Sequence, residues 1–554
     1  MPLEERDYLA VGRGAVLARN GIVSSVIPLA AEAGTHVMKQ GGNAFDAAIA
    51  VAMVEDVVLP SFCGLGGEVF ALLYEASSGT LYGLTGSGRA PMTATADYFK
   101  EKGFERLPRD GALASTIPGE VDALWTIHDR FGSGKFSFSQ LMEPAIGYAD
   151  EGFAVPQRNA RYGRLGRDRL LEDPHTAQFM MNNGEPYLPG EVMVQKNLAK
   201  TLKRVADGGR DEFYKGGVGE ELIKALQEGG SLYTMEDLAA HETLVYDDPV
   251  SISYRGYTVY ETKLPSQGII VLQGLNLLEQ FDLQKYEHNS ADYIHLLTEI
   301  KHKVFADRTA FYGDPEYVQV PVDALLSKEY AKERAGTIDL SRAANNIAAG
   351  VLPTSVTSSS DGSTSYFSIA DREGNWVSLI HSVFAIWGSC FIPGDLGFMM
   401  NTRAMSFSLK EGEANSLMPS KRPLHTLNCF MIFKDGKPYL TGGTPGADFQ
   451  PLWNIQTIAR VLDFNMDVQR ATEEPRFIAA APGGMGGTEF EIQLEKPLLE
   501  DASLVKDLEA KGHKVGIYST PGRVGALALV AQDHETGVYM GGADPREDGQ
   551  VSGF

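Results

Sequence analysis

The stretch SSSDGSTSYFSIADREGNWVSLIHS, residues 358–382, decides how this chain is read. A run of serines with Asp361 and Gly362 leads into Thr364, and the pattern then turns at once into a strand, Thr364 to Ala370. After the turn DREGN a second apolar-rich strand, WVSLIHS, pairs back on the first, so the unit is a hairpin. A soft, small-residue segment set directly before one threonine is what self-cleavage would need: a strainable peptide bond, Ser363–Thr364, ahead of a rigid strand. A threonine hydroxyl is a poor nucleophile at neutral pH without a nearby base. Cutting the chain before Thr364 would supply one, because the freed α-amine has a pKa of about 7.7–8.0 and can take the hydroxyl proton. The branched Cβ restricts χ1 and holds the oxygen in place. From the residues alone, a surface Ser/Thr loop entering an ordinary strand remains the alternative.

The surrounding chain is globular in composition: 554 residues, 43% hydrophobic, 22% charged, 26 Phe. A net charge of −23 repels phosphate backbones and argues against a nucleic-acid partner. The three cysteines, Cys63, Cys390 and Cys429, form no CxxC pair, which excludes an all-thiolate zinc site and reads as buried free thiols. No apolar run is long enough to span a membrane, and the N-terminal residues lack the apolar core of a signal peptide. With reduced cysteines, the expectation is a cytoplasmic protein with no membrane partner.

Residues 26–57 read as two helices broken at QGGN, the second almost wholly apolar and therefore buried. CGLGGEVFALLYEASSGTLYGLTGSG reads as two strands around ASSG, and CFMIFKDGKPYLTGG as a hairpin turning at Asp435-Gly436. SADYIHLLTEIKHKVFADRTAFYGDPEY reads as a long amphipathic helix, and IQTIARVLDF and ASLVKDLEAKG as further helices. VGALALVAQDHETGVYMGGADP reads as a closing strand pair. Residues 340–363 lose periodicity and are the best linker candidate. No fixed-period repeat is visible.

The chain resembles the γ-glutamyltransferase family of N-terminal-nucleophile hydrolases. NGIVSSV, GGNAFDAAIAVA, GLGGEVF, SGRAP, STIPGEV, HLLTEIKHKVFADRTAFYGDP, TSYFSIADREGNWVS, SKRPLHTLNCFMIFKDGKPYLTGGTPGADF and GGADPREDG carry the resemblance, in family order, from about residue 20 to the C-terminus. The family nucleophile begins a strand that ends in Asp, followed by a Gly-Asn turn; Thr364, Asp371, Gly374 and Asn375 match it. The resemblance implies an α+β fold, a four-layer αββα sandwich of the N-terminal-nucleophile hydrolase type. It also implies self-cleavage into a large chain, 1–363, and a small chain, 364–554, of 554 − 363 = 191 residues. Both chains would stay in one αββα domain, with 340–363 as the flexible segment before the cut. The implied oxyanion donors are the N–H groups of Gly446 and Ala447 in TPGAD, each worth about 3–4 kcal/mol. Ala447 replaces a glycine, keeping the N–H but disfavouring positive φ. The implied hydroxyl supporting the nucleophile is that of Ser382, eighteen residues on; His381 beside it should face the other way.

The residues that hold an α-amino acid in true transferases are changed. The arginine for the α-carboxylate falls at Ser87 without gaps, with Arg89 two positions later. The acidic residue for the amine falls at Ser406, which cannot pair with an ammonium as a carboxylate does. The serine pair after KRPL becomes His425-Thr426, an asparagine becomes Phe384, and Arg403 stands where the family has a glutamine. A guanidinium there suits a carboxylate that lacks a neighbouring ammonium, unless Arg403 or Arg89 serves a structural ion pair. The pattern is similar to the branch holding oxamate amidohydrolases and glutaryl-type cephalosporin acylases. It implies an amidohydrolase of small carboxylate-bearing acyl amides, with no metal or organic cofactor and the small-molecule amide and the two chains of one precursor as partners. Further oligomerisation stays open. The rivals are a γ-glutamyltransferase or glutathione hydrolase with an altered clamp, and a non-catalytic binding relic on the same scaffold. GLGGEVF lacks the lysine and following helix of a phosphate loop. His295, Glu299 and His302 share a helix face, for which a solvated or capping role is expected rather than metal ligation.

Overall fold

A computed structural model describes residues 12–344, 349–350, 363–480, 491–518 and 525–554, without the side chain of Ser363. Most of the expected linker, 345–348 and 351–362, lies outside the described residues, as do residues 1–11.

Two seven-stranded sheets form the centre. In sheet I the strands run, edge to edge, Gln550–Gly553, Gly21–Ser25, Ser363–Asp371, Trp376–Phe384, Glu68–Glu75, Thr80–Gly86 and Leu244–Tyr246. In sheet II they run Val16–Ala18, Tyr539–Ala543, Ala528–Gln532, Lys437–Gly443, Phe430–Lys434, Tyr257–Glu261 and Val250–Tyr254. Every pairing within both sheets is antiparallel. Side chains alternate along the hairpin. Tyr366, Ala370, Trp376 and Ile380 join Met431, Phe433 and Val530 in the core between the sheets, whereas Phe367, Ile369, Val377 and Leu379 join the core under the helices.

Helices Pro28–Lys39, Ala44–Val58 and Glu120–Phe131 cover the outer face of sheet I. Helices Gly268–Leu278, Gln450–Leu462 and Val468–Glu473 cover sheet II, with Ala291–Phe311 packed on Gly268–Leu278. The result is the four-layer αββα sandwich. Ala44–Val58 is buried on all sides, as its composition requires, and Asn43 and Asp46 close a capping box at its start. Asp371 reaches the same helix end: its Oδ2 accepts from Ala44 N–H (2.8 Å) and from Asn375 Nδ2 (2.8 Å). The Asp-Gly-Asn turn thus fastens the far end of the Thr364 strand to the helix layer.

Two expectations need correction. Ala291–Phe311 is not amphipathic toward solvent: His295, Glu299, Lys301 and His302 are all buried. His295 Nδ1 is 2.7 Å from His513 Nε2, and His513 Nδ1 is 2.9 Å from Glu491 Oε2, so neither a solvated nor a capping role fits. The strand pair Ala528–Gln532 and Tyr539–Ala543 is not the last, since Gln550–Gly553 follows as an edge of sheet I. The described part of the linker is tied down: Ala344 N–H donates to Glu299 Oε1 (3.0 Å), and Ala343 N–H to Lys511 O (2.8 Å). Among the described residues no helix is long and apolar enough to cross a membrane.

Candidate active site

Thr364 is buried at the start of its strand, on the face turned toward sheet II. Its hydroxyl donates to Ser382 Oγ at 3.3 Å, and Ser382 Oγ also accepts from Phe384 N–H at 2.7 Å. A bulge produces this arrangement. The register steps from Ser365–His381 to Ser363–Phe384, one extra residue on the partner strand. Val383 leaves the ladder there: its N–H goes to Phe62 O (2.9 Å) and its carbonyl to Thr402 N–H (3.0 Å). Phe384 then takes φ 76°, a conformation costly for a residue with a Cβ.

The TPGAD loop follows Gly443, whose Cα packs so tightly on Tyr366 that a Cβ would lie 2.6 Å from the ring. The strand bearing Thr364 and the loop bearing Gly446 and Ala447 are therefore neighbours across the sheets. Gly446 has φ 138° and no room for a side chain beside Trp453. Ala447 adopts φ 48° despite its Cβ, a strain of about 1–2 kcal/mol. With its amide oriented to satisfy its neighbours, Gln450 accepts from Ala447 N–H at 3.2 Å, so this donor has an internal partner.

Arg403, His425 and Thr426 are brought together by a residue sequence reasoning missed. Glu68, fully buried on Glu68–Glu75 and directly opposite Ser382 in the sheet, accepts from Arg403 Nε (3.0 Å) and His425 Nε2 (2.5 Å) with one oxygen. With the other it accepts from Gly88 N–H (3.0 Å) and Thr116 Oγ1 (2.8 Å). Arg403 Nη1 donates to Thr426 Oγ1 (3.2 Å), and its guanidinium lies 3.9 Å from the centre of the Phe384 ring. The structural ion pair left open for Arg403 is therefore present, with Glu68. Arg403 Nη2, His425 Nδ1 and Ser87 Oγ are buried and have no hydrogen-bond partner among the described residues. Burial would raise the Glu68 carboxyl, but His425 and Arg403 outweigh it and hold it down at about 2. Burial, with the Arg403 charge beside it, pushes His425 down to about 4. His425 is thus neutral at pH 7, donating from Nε2 and presenting a bare lone pair at Nδ1.

Arg89 and Ser406 are not drawn into this group. Arg89 binds both oxygens of Glu316 (2.7 and 2.9 Å) and the carbonyl of Ser420 (2.8 Å) near the surface. Ser406 takes part through its backbone carbonyl, which accepts from Asn415 Nδ2 (2.6 Å). The one sequence signal for Glu68 was a charged residue in an otherwise apolar strand, GLGGEVF, where a buried carboxylate demands a partner.

Residues 30–554 match the family model described as Gamma-glutamyltranspeptidase. The chain belongs to this family. Among curated relatives, it is 36% identical over 97% of its length to the glutathione hydrolase-like YwrD proenzyme of Bacillus subtilis (strain 168), covering 99% of that protein. It is 33% identical over 97% of its length to the glutathione hydrolase proenzyme of Escherichia coli (strain K12), covering 93% of it. Among solved structures, a cephalosporin acylase from Bacillus halodurans superposes with a TM-score of 0.89 at 32% identity, covering 100% of this chain and 99% of that one. As a gamma-glutamyltranspeptidase-family member with this fold, the protein is an N-terminal-nucleophile hydrolase acting on amide C–N bonds.

Proposed function

We propose that the chain processes itself between Ser363 and Thr364 and then hydrolyses amides of small acyl groups that carry a carboxylate. Thr364 Oγ1 attacks the amide carbonyl while its own α-amine takes the hydroxyl proton. The N–H groups of Gly446 and Ala447 hold the oxyanion, Ala447 exchanging Gln450 for the substrate oxygen. The α-amine passes the proton to the leaving amine, and water then resolves the acyl-enzyme. Ser382 keeps the Thr364 hydroxyl aligned.

The observation that carries the substrate class is the Glu68–Arg403–His425 group. Among the described residues the Nη2 amino group of Arg403 has no hydrogen-bond partner, and Ser406 offers no negative charge for an ammonium. An acyl carboxylate fits that donor better than a zwitterionic amino acid does. The names of the relatives, glutathione hydrolases among them, favour a second reading, a γ-glutamyl hydrolase or transferase with a rearranged clamp.

A denaturing gel with N-terminal sequencing tests the processing: two fragments, the smaller beginning at Thr364, and one uncut band in Thr364→Ala. Hydrolysis by a protein whose Ser363–Thr364 bond stays whole would overturn it. A panel of oxamate- and glutaryl-type half-amides beside a γ-glutamyl anilide tests the substrate. Turnover of the anilide alone, accelerated by an acceptor dipeptide, supports the second reading.

A further inference from the structure

On the opposite face of the Thr364 hairpin, a group of ionisable side chains is shut away from water under the helix layer. Glu55 and Asp56 come from Ala44–Val58, Cys63 from the segment after it, Glu120 opens Glu120–Phe131, and His381 projects from Trp376–Phe384. None is more than 3% exposed. Cys63, read from sequence as a buried free thiol, is one, and it lies beside Asp56 and His381.

The histidine has two distinct sides. Its Nε2 lies 2.8 Å from Glu55 Oε2. Glu55 is held in turn by Ser25 Oγ (2.6 Å) and by Ser365 Oγ (2.5 Å), the residue after the nucleophile. With Nδ1 on a metal, Nε2 would keep its proton and donate it to Glu55. Its Nδ1 faces Glu120 Oε1 at 2.9 Å and Asp56 Oδ1 at 3.5 Å. One donor atom each of Asp56, Cys63 and His381 lies within 4.8 Å of the others. Among the described residues both Asp56 oxygens and Glu120 Oε2 are buried without a hydrogen-bond partner, Asp56 having only the 3.5 Å ion pair to Nδ1. Carboxylate oxygens withdrawn from water and short of hydrogen-bond donors are costly, and such groups pair or coordinate a metal.

Ligand atoms about 2.0–2.3 Å from a tetrahedral zinc are about 3.3–3.8 Å apart; the 3.5 Å Nδ1–Asp56 separation falls in that range, and the 2.9 Å Nδ1–Glu120 separation is a hydrogen-bond distance that would have to open. We propose that Asp56, Cys63 and His381 Nδ1 form a buried zinc site, with Glu120, 2.9 Å from Nδ1 but outside that group of three, shifting to complete it and Glu55 orienting the imidazole. A carboxylate on the far nitrogen of a metal-bound histidine is the usual means of fixing its tautomer. With Glu120 drawn in as the fourth ligand the shell would be closed, and the ion would be structural and would not meet substrate. Binding drives the Cys63 thiol proton and the Nδ1 proton of any imidazolium into solvent. The ion would tie two covering helices to the strand that carries Ser382, and Glu55 would extend that tie to Ser365.

The test is elemental analysis of tag-free, as-isolated protein, with a second preparation grown in cobalt-supplemented medium. The expected result is about one zinc per chain, loss of it in Cys63→Ser and Asp56→Asn, and its retention in Cys390→Ser. The cobalt protein should show near-ultraviolet thiolate-to-cobalt charge transfer that Cys63→Ser lacks. Less than about 0.1 metal per chain in both wild-type preparations, or cobalt bound without a thiolate band, overturns the proposal and leaves protons in the cluster. Because the wild-type spectrum reads the ligand directly, a poorly folding variant does not blunt the test.

Discussion

Glu68→Gln keeps the side-chain shape and removes one charge from the group that holds Arg403 and His425. The carboxylate accepts four hydrogen bonds, two per oxygen. An amide nitrogen accepts none, so the variant loses two of them whichever way it turns. Arg403, with no exposed surface, loses its counter-ion. Breaking a buried ion pair from one side costs about 3–5 kcal/mol. The carboxyl's own titration points the same way: against burial it is held at about 2 instead of 4.5, by His425 first and Arg403 second, so Arg403 accounts for only part of the roughly 3 kcal/mol that about 1.36 kcal/mol per unit gives. A depressed carboxyl stabilises above its unfolded pKa and loses that contribution as pH falls from 4.5 toward 2, so the full effect is present at neutral pH. The assay is a double-mutant cycle of Glu68→Gln and Arg403→Met, followed by urea unfolding at pH 7.5. All four chains carry Thr364→Ala so that uncut polypeptides are compared. Each single change is expected to lose about 3–5 kcal/mol. The double variant should lose less than the sum, by about 2–3 kcal/mol, within the range found for contacting charged residues. Additivity to within about 0.5 kcal/mol would refute the claim that these two charges stabilise each other.

Two further outcomes follow from the same site. His425 titrates near 4 when folded and near 6.5 when unfolded, so the unfolded chain binds more protons between those values and stability rises with pH across that window by about 3 kcal/mol. In His425→Gln that part of the pH–stability profile should flatten, and a slope as steep as wild type would mean another group titrates there. Ser382→Ala removes the acceptor of the Thr364 hydroxyl and strands Phe384 N–H; a loss of about 1–2 kcal/mol is about tenfold in kcat. It should be recovered in Ser382→Thr, and an unchanged kcat for Ser382→Ala would remove Ser382 from the mechanism.

Local pattern made much of this molecule readable. The Thr364 hairpin, the apolar helix at Ala44–Val58, the turn at Asp435-Gly436 and the helix at Gln450–Leu462 are each declared by neighbouring residues. What escaped was set by contacts between distant ones. Glu68 meets Arg403 and His425 across 335 and 357 residues, and nothing within GLGGEVF names those partners. Ala291–Phe311 looked amphipathic because charged side chains are ordinarily counted as outward; here they are matched by His513, Glu491 and backbone carbonyls from later in the chain. The short strands from Leu244 to Glu261 escaped because three to five residues of mixed polarity carry too little periodicity to stand out. Arg89 looked like a binding residue because it stands in SGRAP two positions after Ser87, and only the fold reveals Glu316 beside it.

The hairpin's period of two explains why one short segment serves two environments. Even-numbered positions, Thr364, Tyr366, Ser378 and Ser382, face sheet II, where Ser378 Oγ donates to Phe430 O (3.2 Å). Odd-numbered positions, Ser365, Phe367, Leu379 and His381, face the helices. A slip of one residue would bury Thr364 against Glu55 and turn His381 into the nucleophile's pocket, so register must be fixed beyond what paired apolar side chains provide. The Asp371 contacts with Ala44 and Asn375 fix it at one end. The Ser365–Glu55–His381 chain, running through both strands and a helix, fixes it at the other. The bulge at Val383 lies just past that chain. The partner strand can therefore break its ladder beside Thr364, and Phe384 can take its strained turn under Arg403, without the strain spreading down the hairpin. On this argument the polar cluster behind the strand is what permits irregular backbone in front of it, and the accuracy of the Thr364–Ser382 contact depends on side chains that never meet the substrate.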